Sequence, residues 1–182
     1  DRVFIKRRSR QKGKAQYDRK SRQKGKLHTI SEGECRFLVN LTDYVDTGLF
    51  LDHRTTRYRI GSESKGKRFL NLFGYTATAT VHAVLGGAES STTIDLSNTY
   101  IGWAEKNMAL NGIHSERNLL VRAECLDWLK KETRTYDLIF VDPPTFSNTR
   151  KKRRTFDVQS QHKLLIELAM ERLSSSGLLL FS

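Results

Sequence analysis

RFLNLFGYTATATVHAVLGGAESSTTIDLSNTYIGWAEKNMALNG, residues 68–112, decides the fold. An apolar run of strand length (68–73) is followed by a turn of small residues and a helical pattern (about 76–85). A second run (91–95) leads into a helix over 98–110 that stops at Asn111 and Gly112. In that helix Tyr100, Trp103, Ala104 and Met108 share one face at three- and four-residue spacing and are assigned to the core. The alternation continues with strand 119–123, helix 125–132, strand 136–141 (YDLIFV), helix 158–173 and strand 178–181. Short, nearly continuous apolar strands alternating with helices signify a parallel sheet covered on both faces, hence a doubly wound α/β domain.

Toward the N-terminus, CRFLVNL (35–41) and GLFLD (48–52) read as two short strands around the polar TDYVDT. Before them stands a near repeat, RSRQKGK (8–14) and KSRQKGK (20–26), with Gly13 and Gly25 as turn formers. Two copies make no solenoid; they fit either two basic turns of a β-hairpin or a flexible arm. The expected division is a basic β-extension over 1–60 and the α/β domain over 61–182. A chain of 182 residues suffices for one such domain with an appendage, so one active site is sought.

The net charge of +12 is localised. Residues 1–26 carry twelve Lys/Arg against two Asp, and a second run, Arg150 to Arg154, lies near the other end. Everything outside these two segments nets −3. Localised positive charge binds a polyanion by releasing its counterions, and nucleic acid is the usual partner. A solvated tail is the bland alternative, and an anionic membrane is disfavoured because neither segment interleaves bulky apolar residues at helical spacing. Cys35 and Cys125 stand in unrelated contexts, so neither a disulfide framework nor a metal site is indicated, which fits a cytoplasmic location. No apolar run has membrane-spanning length, and the Arg-rich start lacks the apolar core of a secretory signal.

In a doubly wound sheet the ligand sits beyond the carboxyl ends of the strands. After strand 68–73 comes GYTATAT, small and hydroxylated but not GxGxxG, which disfavours a dinucleotide pyrophosphate. Asp95 ends the second strand, where a carboxylate can accept from both ribose hydroxyls of an adenosine; capping of the next helix, shared with Ser97 or Asn98, is the alternative. Glu124 follows the third strand and opens CLDWL, where it and adjacent backbone groups can bond an adenine amino group or merely open a helix. The sharpest feature is DPPTF, Asp142 to Phe146, after YDLIFV, and it holds both prolines of the chain. Consecutive prolines fix φ and remove two N–H donors, so Asp142, Pro143 and Pro144 form a rigid loop of acceptors for a planar base, with Phe146 as a stacking face. RKKRR follows within a few residues and sets polyanion-binding charge beside this loop.

LTDYVDTGLFLDHR (41–54), FLNLFGYTATATVHA (69–83), VDPPTFSNTRK (141–151) and FDVQ (156–159) resemble class I S-adenosylmethionine-dependent methyltransferases. Within these they look like the C-terminal, 7-methylguanine-forming domain of the bacterial bifunctional 23S rRNA guanine methyltransferases. The resemblance extends over nearly the whole chain, including RQKGKAQY. It implies a Rossmann-like methyltransferase sheet and S-adenosyl-L-methionine as cofactor. It places Asn71, Phe73, Gly74, Tyr75, Asp95, Leu96, Glu124, Cys125 and Asp142 around that cofactor, with Asp52 and Arg54 of FLDHR toward its methionine end. An Arg there can pair with the cofactor carboxylate, or with a neighbouring side chain. Arg8, Arg10, Lys12, Lys14, Arg22, Lys24, Lys26, Arg150, Lys151, Lys152, Arg153 and Arg154 are then the RNA-binding set, and 23S rRNA the partner. In the resembled family an N-terminal half with an RNA-binding module and an N2-guanine methyltransferase domain precedes this one. The chain departs from the family in reading YTA where YTG is expected, so either the methyl of Ala77 crowds the methionine moiety or Gly74 relieves the same turn.

Guanine N7 has a free lone pair, so its attack on a sulfonium methyl needs no general base, and Asp142 is read as a positioner. No metal is required. Three rivals stay open: cytosine C5 methylation, which needs a thiolate from a placed Cys; adenine N6 methylation; and a basic RNA-binding module with a methyltransferase fold but no activity. Because the chain starts with Asp1 and such a sheet normally continues past a strand like 178–181, an excised piece with an exposed sheet edge is expected.

Overall fold

The computed structural model describes residues 25–44, 46–114, 116–148 and 155–182, together with Val3. In chain order the elements are β1 (Leu27–Glu32), β2 (Cys35–Asn40), α1 (Arg54–Glu63), β3 (Arg68–Leu72), α2 (Thr78–Leu85), β4 (Ser90–Asp95), α3 (Asn98–Leu110), β5 (Asn118–Arg122), α4 (Cys125–Leu129), β6 (Tyr136–Val141), β7 (Phe146–Asn148), β8 (Thr155–Asp157), α5 (Val158–Glu171) and β9 (Leu173–Phe181). Five strands form one parallel sheet in the order β5-β4-β3-β6-β9. The chain winds outward from β3 through β4 to β5, then crosses back to lay β6 on the other side of β3. That reversal creates the crevice in which such sheets hold ligands.

Strand alternation sorts the core onto two faces. Leu70, Leu72, Ile94, Ile139 and Val141 pack against Leu126 and Leu129 of α4 and Leu165 and Ala169 of α5. Phe69, Leu138 and Phe140 point the other way, onto Ile60 of α1 and Ala79 and Ala83 of α2. Helices on both faces confirm the doubly wound α/β architecture.

The antiparallel β1–β2 hairpin is an added wall of this core. Cys35, Phe37 and Val39 pack on Val81 of α2 and Met108 of α3. Trp103 Nε1 donates to the Leu38 carbonyl (2.9 Å), and Asn107 Oδ1 accepts from Leu38 N (2.9 Å). A buried charge cluster adds a second tie. Glu32 Oε1 accepts from Arg57 Nε (2.6 Å) and Oε2 from Arg57 Nη2 (2.8 Å) and Arg54 Nε (3.2 Å), while His82 Nε2 lies 3.0 Å from Oε1. Burial raises the Glu32 carboxyl, but Arg57, assisted by Arg54 and His82, overrides this and holds it down at about 2.

Several expectations are corrected. GLFLD is no strand: Gly48 adopts φ +96°, and the segment turns toward the sheet end before α1. The partner of β2 is instead β1, which precedes it. Helix α1 was not foreseen; it lacks a side-chain cap and carries few apolar residues, and it stands because Arg57 and Ile60 are buried against the body. It runs across the position 60/61. Tyr100 is half-buried and leaves the core face of α3 to Ile101, Trp103, Ala104, Asn107 and Met108. The reading of 8–26 as basic turns, and those placed on Arg8, Arg10, Lys12, Lys14, Arg22, Lys24, Arg150, Lys151, Lys152, Arg153, Arg154 and the ring of Phe146, lie outside the described residues.

Candidate active site

Leu72 pairs with Ile94 on one side and Val141 on the other, so β3, β4 and β6 end level. Phe73, Asp95 and Asp142 therefore emerge along one rim. The turn after β3 has unusual backbone: Phe73 (φ 58°), Tyr75 (φ 50°) and Ala77 (φ 61°) are all left-handed, without being glycine. Four bonds hold this strain: Phe73 N to Cys125 Sγ (3.4 Å), Gly74 N to Ile94 O (2.9 Å), Tyr75 N to Asp95 Oδ2 (2.9 Å) and Ala77 N to Gly74 O (2.8 Å). Gly74 is required for a different reason, since a Cβ there would sit 2.2 Å from Thr93 Cγ2. Ala77 is fully buried, so its methyl points into the protein and not over the rim. The expected crowding of a ligand gives way to backbone strain of about 1 kcal/mol.

Asp95 Oδ1 accepts from Ser97 N (2.8 Å) and Oδ2 from Tyr75 N (2.9 Å). Burial pushes its carboxyl up to about 6 against the pull of these bonds. The capping of α3 falls to Ser97, whose hydroxyl accepts from Tyr100 N (3.3 Å), so Asp95 is not needed as a cap. Leu96 N also pulls on this carboxylate, which keeps acceptor capacity for a further donor. Leu96 lies half-buried beside it. Glu124 caps α4 by accepting from Asp127 N (2.8 Å), the plainer of its two readings, while Cys125 is buried beneath the turn.

Across the crevice, Asp142 has a side chain 33% exposed, and Pro143 and Pro144 are half-buried. Burial pushes the Asp142 carboxyl up, His53 pulls it down and Asp52 pushes it up. Phe146 opens β7, which pairs with β8, and Phe156 of β8 meets Phe73 at 5.0 Å between ring centroids.

The remaining sequence candidates sit less centrally. Asn71 is buried and donates to Thr80 (3.0 Å), which in turn bonds Thr93 (2.6 Å), so it braces the turn from below. Asp52 is exposed, and Arg54 is engaged by Glu32, the alternative foreseen for it. Lys26 is exposed at the start of the hairpin.

The structure adds residues that sequence reading missed. Gly48 N donates to the Tyr75 hydroxyl (3.0 Å), and Thr76 Oγ1 donates to Gly48 O (2.7 Å), pinning the 48–53 segment onto the rim. Its Phe50 meets Tyr75 at 5.2 Å, and Tyr100 meets Tyr75 at 4.5 Å. His53 Nε2 lies 3.8 Å from Asp142 Oδ2. The available signal was the cluster of aromatic and His residues in LFLDHR, hidden by reading the segment as a strand. A separate pocket of about 280 Å³, bounded by Arg68, Arg117, Arg134 and Tyr136, lies at the opposite, amino-terminal end of the strands, where Asp137 and Glu132 neutralise two of the arginines.

Among the described residues no cluster of His, Cys, Asp or Glu could hold a metal ion, and no helix is long and apolar enough to cross a membrane. The rim offers a ribose-type acceptor at the end of β4 and a rigid acidic loop at the end of β6, with no glycine-rich pyrophosphate cradle between them. These features define a Rossmann-like α/β methyltransferase and set it apart from the dinucleotide enzymes. Residues 3–181 match the family described as S-adenosylmethionine-dependent methyltransferase, and the chain belongs to that family. It is 60% identical over 182 residues to the ribosomal RNA large subunit methyltransferase K/L of Desulfotalea psychrophila and 56% identical to its counterpart in Pseudomonas aeruginosa. Each match covers 100% of this chain and 25% of the relative, so the chain spans about a quarter of their length. Among solved structures, the methyltransferase SMU.776 complexed with SAH superposes with a TM-score of 0.79 at 31% identity, over 88% of this chain and 42% of that one. A SAM-dependent methyltransferase from Agrobacterium tumefaciens gives 0.77 at 26% identity, over 87% and 53%.

Proposed function

We propose that the chain is the catalytic domain of a cytoplasmic rRNA methyltransferase that transfers the methyl group of S-adenosylmethionine to guanine N7 in 23S rRNA. The observation that carries this reading is the pairing of Asp95 and Asp142 across one crevice, with RKKRR following the Asp-Pro-Pro loop in sequence. The donor set fits the cofactor: the Asp95 carboxylate, held by backbone N–H groups at the end of β4, is an acceptor suited to ribose hydroxyls. Tyr75 and Phe73 would flank the nucleoside, Leu96 and Glu124 would edge the base, and Asp52 would lie toward the methionine end, Arg54 being engaged by Glu32.

The bound cofactor supplies an electrophilic methyl on sulfonium. The chain's own part is to hold the base in line and to place charge. Pro143 and Pro144 fix the loop, Phe146 offers its ring to the base, and Asp142 accepts hydrogen bonds from it. No residue needs to remove a proton, because N7 attacks with a lone pair. Both cysteines of the chain speak against a cytosine-type thiolate here: both are buried, and burial pushes Cys35 up to about 11 and Cys125 well above the usual thiol range. The close likeness to proteins described as rRNA large subunit methyltransferases supports rRNA as substrate, and the basic set including Lys26 supports direct contact with it.

Calorimetric titration with S-adenosylmethionine, then nucleoside mass spectrometry of 23S rRNA after incubation with chain and cofactor, tests the proposal. The expected product is 7-methylguanosine. Methylcytidine or N6-methyladenosine would replace the base assignment, and an absence of binding heat from folded protein would favour an inactive RNA-binding module.

A further inference from the structure

His53 belongs to none of the roles described above, yet its Nε2 stands 3.8 Å from Asp142 Oδ2 in the acidic loop. It occupies the N-cap position of α1, but its side chain makes no capping bond. Its ring is wedged between Phe50 (6.4 Å between centroids) and Phe140 (6.2 Å), and Nδ1 is buried without a hydrogen-bond partner among the described residues. Nε2 is left facing Asp142 Oδ2 at 3.8 Å. A residue needed only to fill the space between two phenyl rings would be apolar, because an unpartnered buried ring nitrogen is unfavourable. The imidazole sets a polar nitrogen, Nε2, toward the Asp142 carboxylate.

Resting on the reading of the Asp-Pro-Pro loop as the base site, we propose that His53 is a positioning residue that holds the Asp142 carboxylate as a pure acceptor toward the methyl-accepting purine. The groups that bear on Asp142 are His53 and Asp52, both from the segment before α1. Burial and Asp52 favour the neutral acid; His53 opposes both. The difference matters chemically. A carboxylate can accept from two adjacent N–H donors, as on the N1 and N2 edge of guanine, whereas a carboxylic acid turns one oxygen into a donor and repels one of them. At 3.8 Å the contact is longer than a hydrogen bond, as such pairs often are before substrate tightens them.

The test compares wild type with His53→Leu and His53→Gln, using saturating S-adenosylmethionine and 23S rRNA between pH 5.5 and 9, with the Asp142 carboxyl titration followed by 13C NMR. In His53→Leu, kcat/KM at the acid end of the range should fall up to ~10-fold while cofactor Kd stays within about twofold. Its acid limb and the Asp142 titration should both move up by about one pH unit, so that alkaline pH restores much of the rate. His53→Gln, whose amide can still donate, should recover part of the loss. A uniform loss at all pH values, or an Asp142 titration unchanged in His53→Leu, would overturn the proposal. Wild type that binds cofactor but methylates no rRNA purine would overturn the base-site reading and this inference with it, and is distinguished from failure of the inference alone by the wild-type activity.

Discussion

Replacing Glu32 by Ala tests whether the buried charge cluster welds the hairpin to the catalytic body. Glu32 and Arg57 have side chains 1% and 2% exposed, and Glu32 also meets Arg54 and His82. Without Glu32, the Arg57 guanidinium keeps its bond to Phe50 O (2.7 Å) but loses its counter-charge. Stranding a buried charge costs about 3–5 kcal/mol. The carboxyl gives an independent figure: held at about 2 against an ordinary 4.5, it corresponds to about 3 kcal/mol at neutral pH. The sign follows from the depressed pKa. The contribution is present above 4.5 and is lost as pH falls toward 2, with about 2 of the 3 kcal/mol gone at pH 3. Urea unfolding monitored by tryptophan fluorescence should show Glu32→Ala destabilised by about 3 kcal/mol at pH 7, and the gap to wild type should narrow at pH 3. The double variant Glu32→Leu/Arg57→Met, which leaves no lone charge, should recover most of the loss. A Glu32→Ala variant within about 1 kcal/mol of wild type at pH 7, or a gap equal at both pH values, would refute the assignment of the weld to this cluster.

Two further outcomes probe the rim. Because Asp95 titrates at about 6 and ribose hydroxyls donate to its ionised form, cofactor affinity should weaken up to about tenfold per unit as pH falls below 6, and Asp95→Asn should bind more weakly with that dependence flattened; calorimetry from pH 5 to 8 reads both. Gly74→Ala sets a Cβ 2.2 Å from Thr93 Cγ2, and Thr93 cannot swing away without giving up Thr80, so stability should drop by about 1–3 kcal/mol and cofactor binding with it. Thr93→Ser, which keeps the hydroxyl and deletes the methyl, should rescue Gly74→Ala in thermal melts; no rescue would place the strain elsewhere.

The parallel sheet was legible because its strands are buried on both faces and so read as apolar runs with helical patterns between them. Asp95 and Asp142 were legible for the same reason, since a strand end fixes where the next residue emerges. What the sequence hid is held by tertiary contacts. Helix α1 has little amphipathic signal, and what buries it is an arginine whose partner lies 25 residues earlier. Apolar GLFLD looks like a strand until Tyr75 and Thr76 take the backbone of Gly48. Three left-handed non-glycine residues in one turn leave no compositional trace at all. His53 was passed over because its partner Asp142 is remote in sequence.

The hairpin is tied to the body at its leading edge as well as along its strands. Its strands line the core through Cys35, Phe37 and Val39, and its leading edge is clasped where Gly25 N donates to both carboxylate oxygens of Asp43 (2.9 and 2.8 Å). Gly25 therefore stands where the backbone is first tied to the folded body among the described residues. Among the described residues this clasp is thus the first tie that a truncation from the N-terminus would cut, since loss of Gly25 removes its bonds to Asp43 and with them the hold on the leading edge of the hairpin.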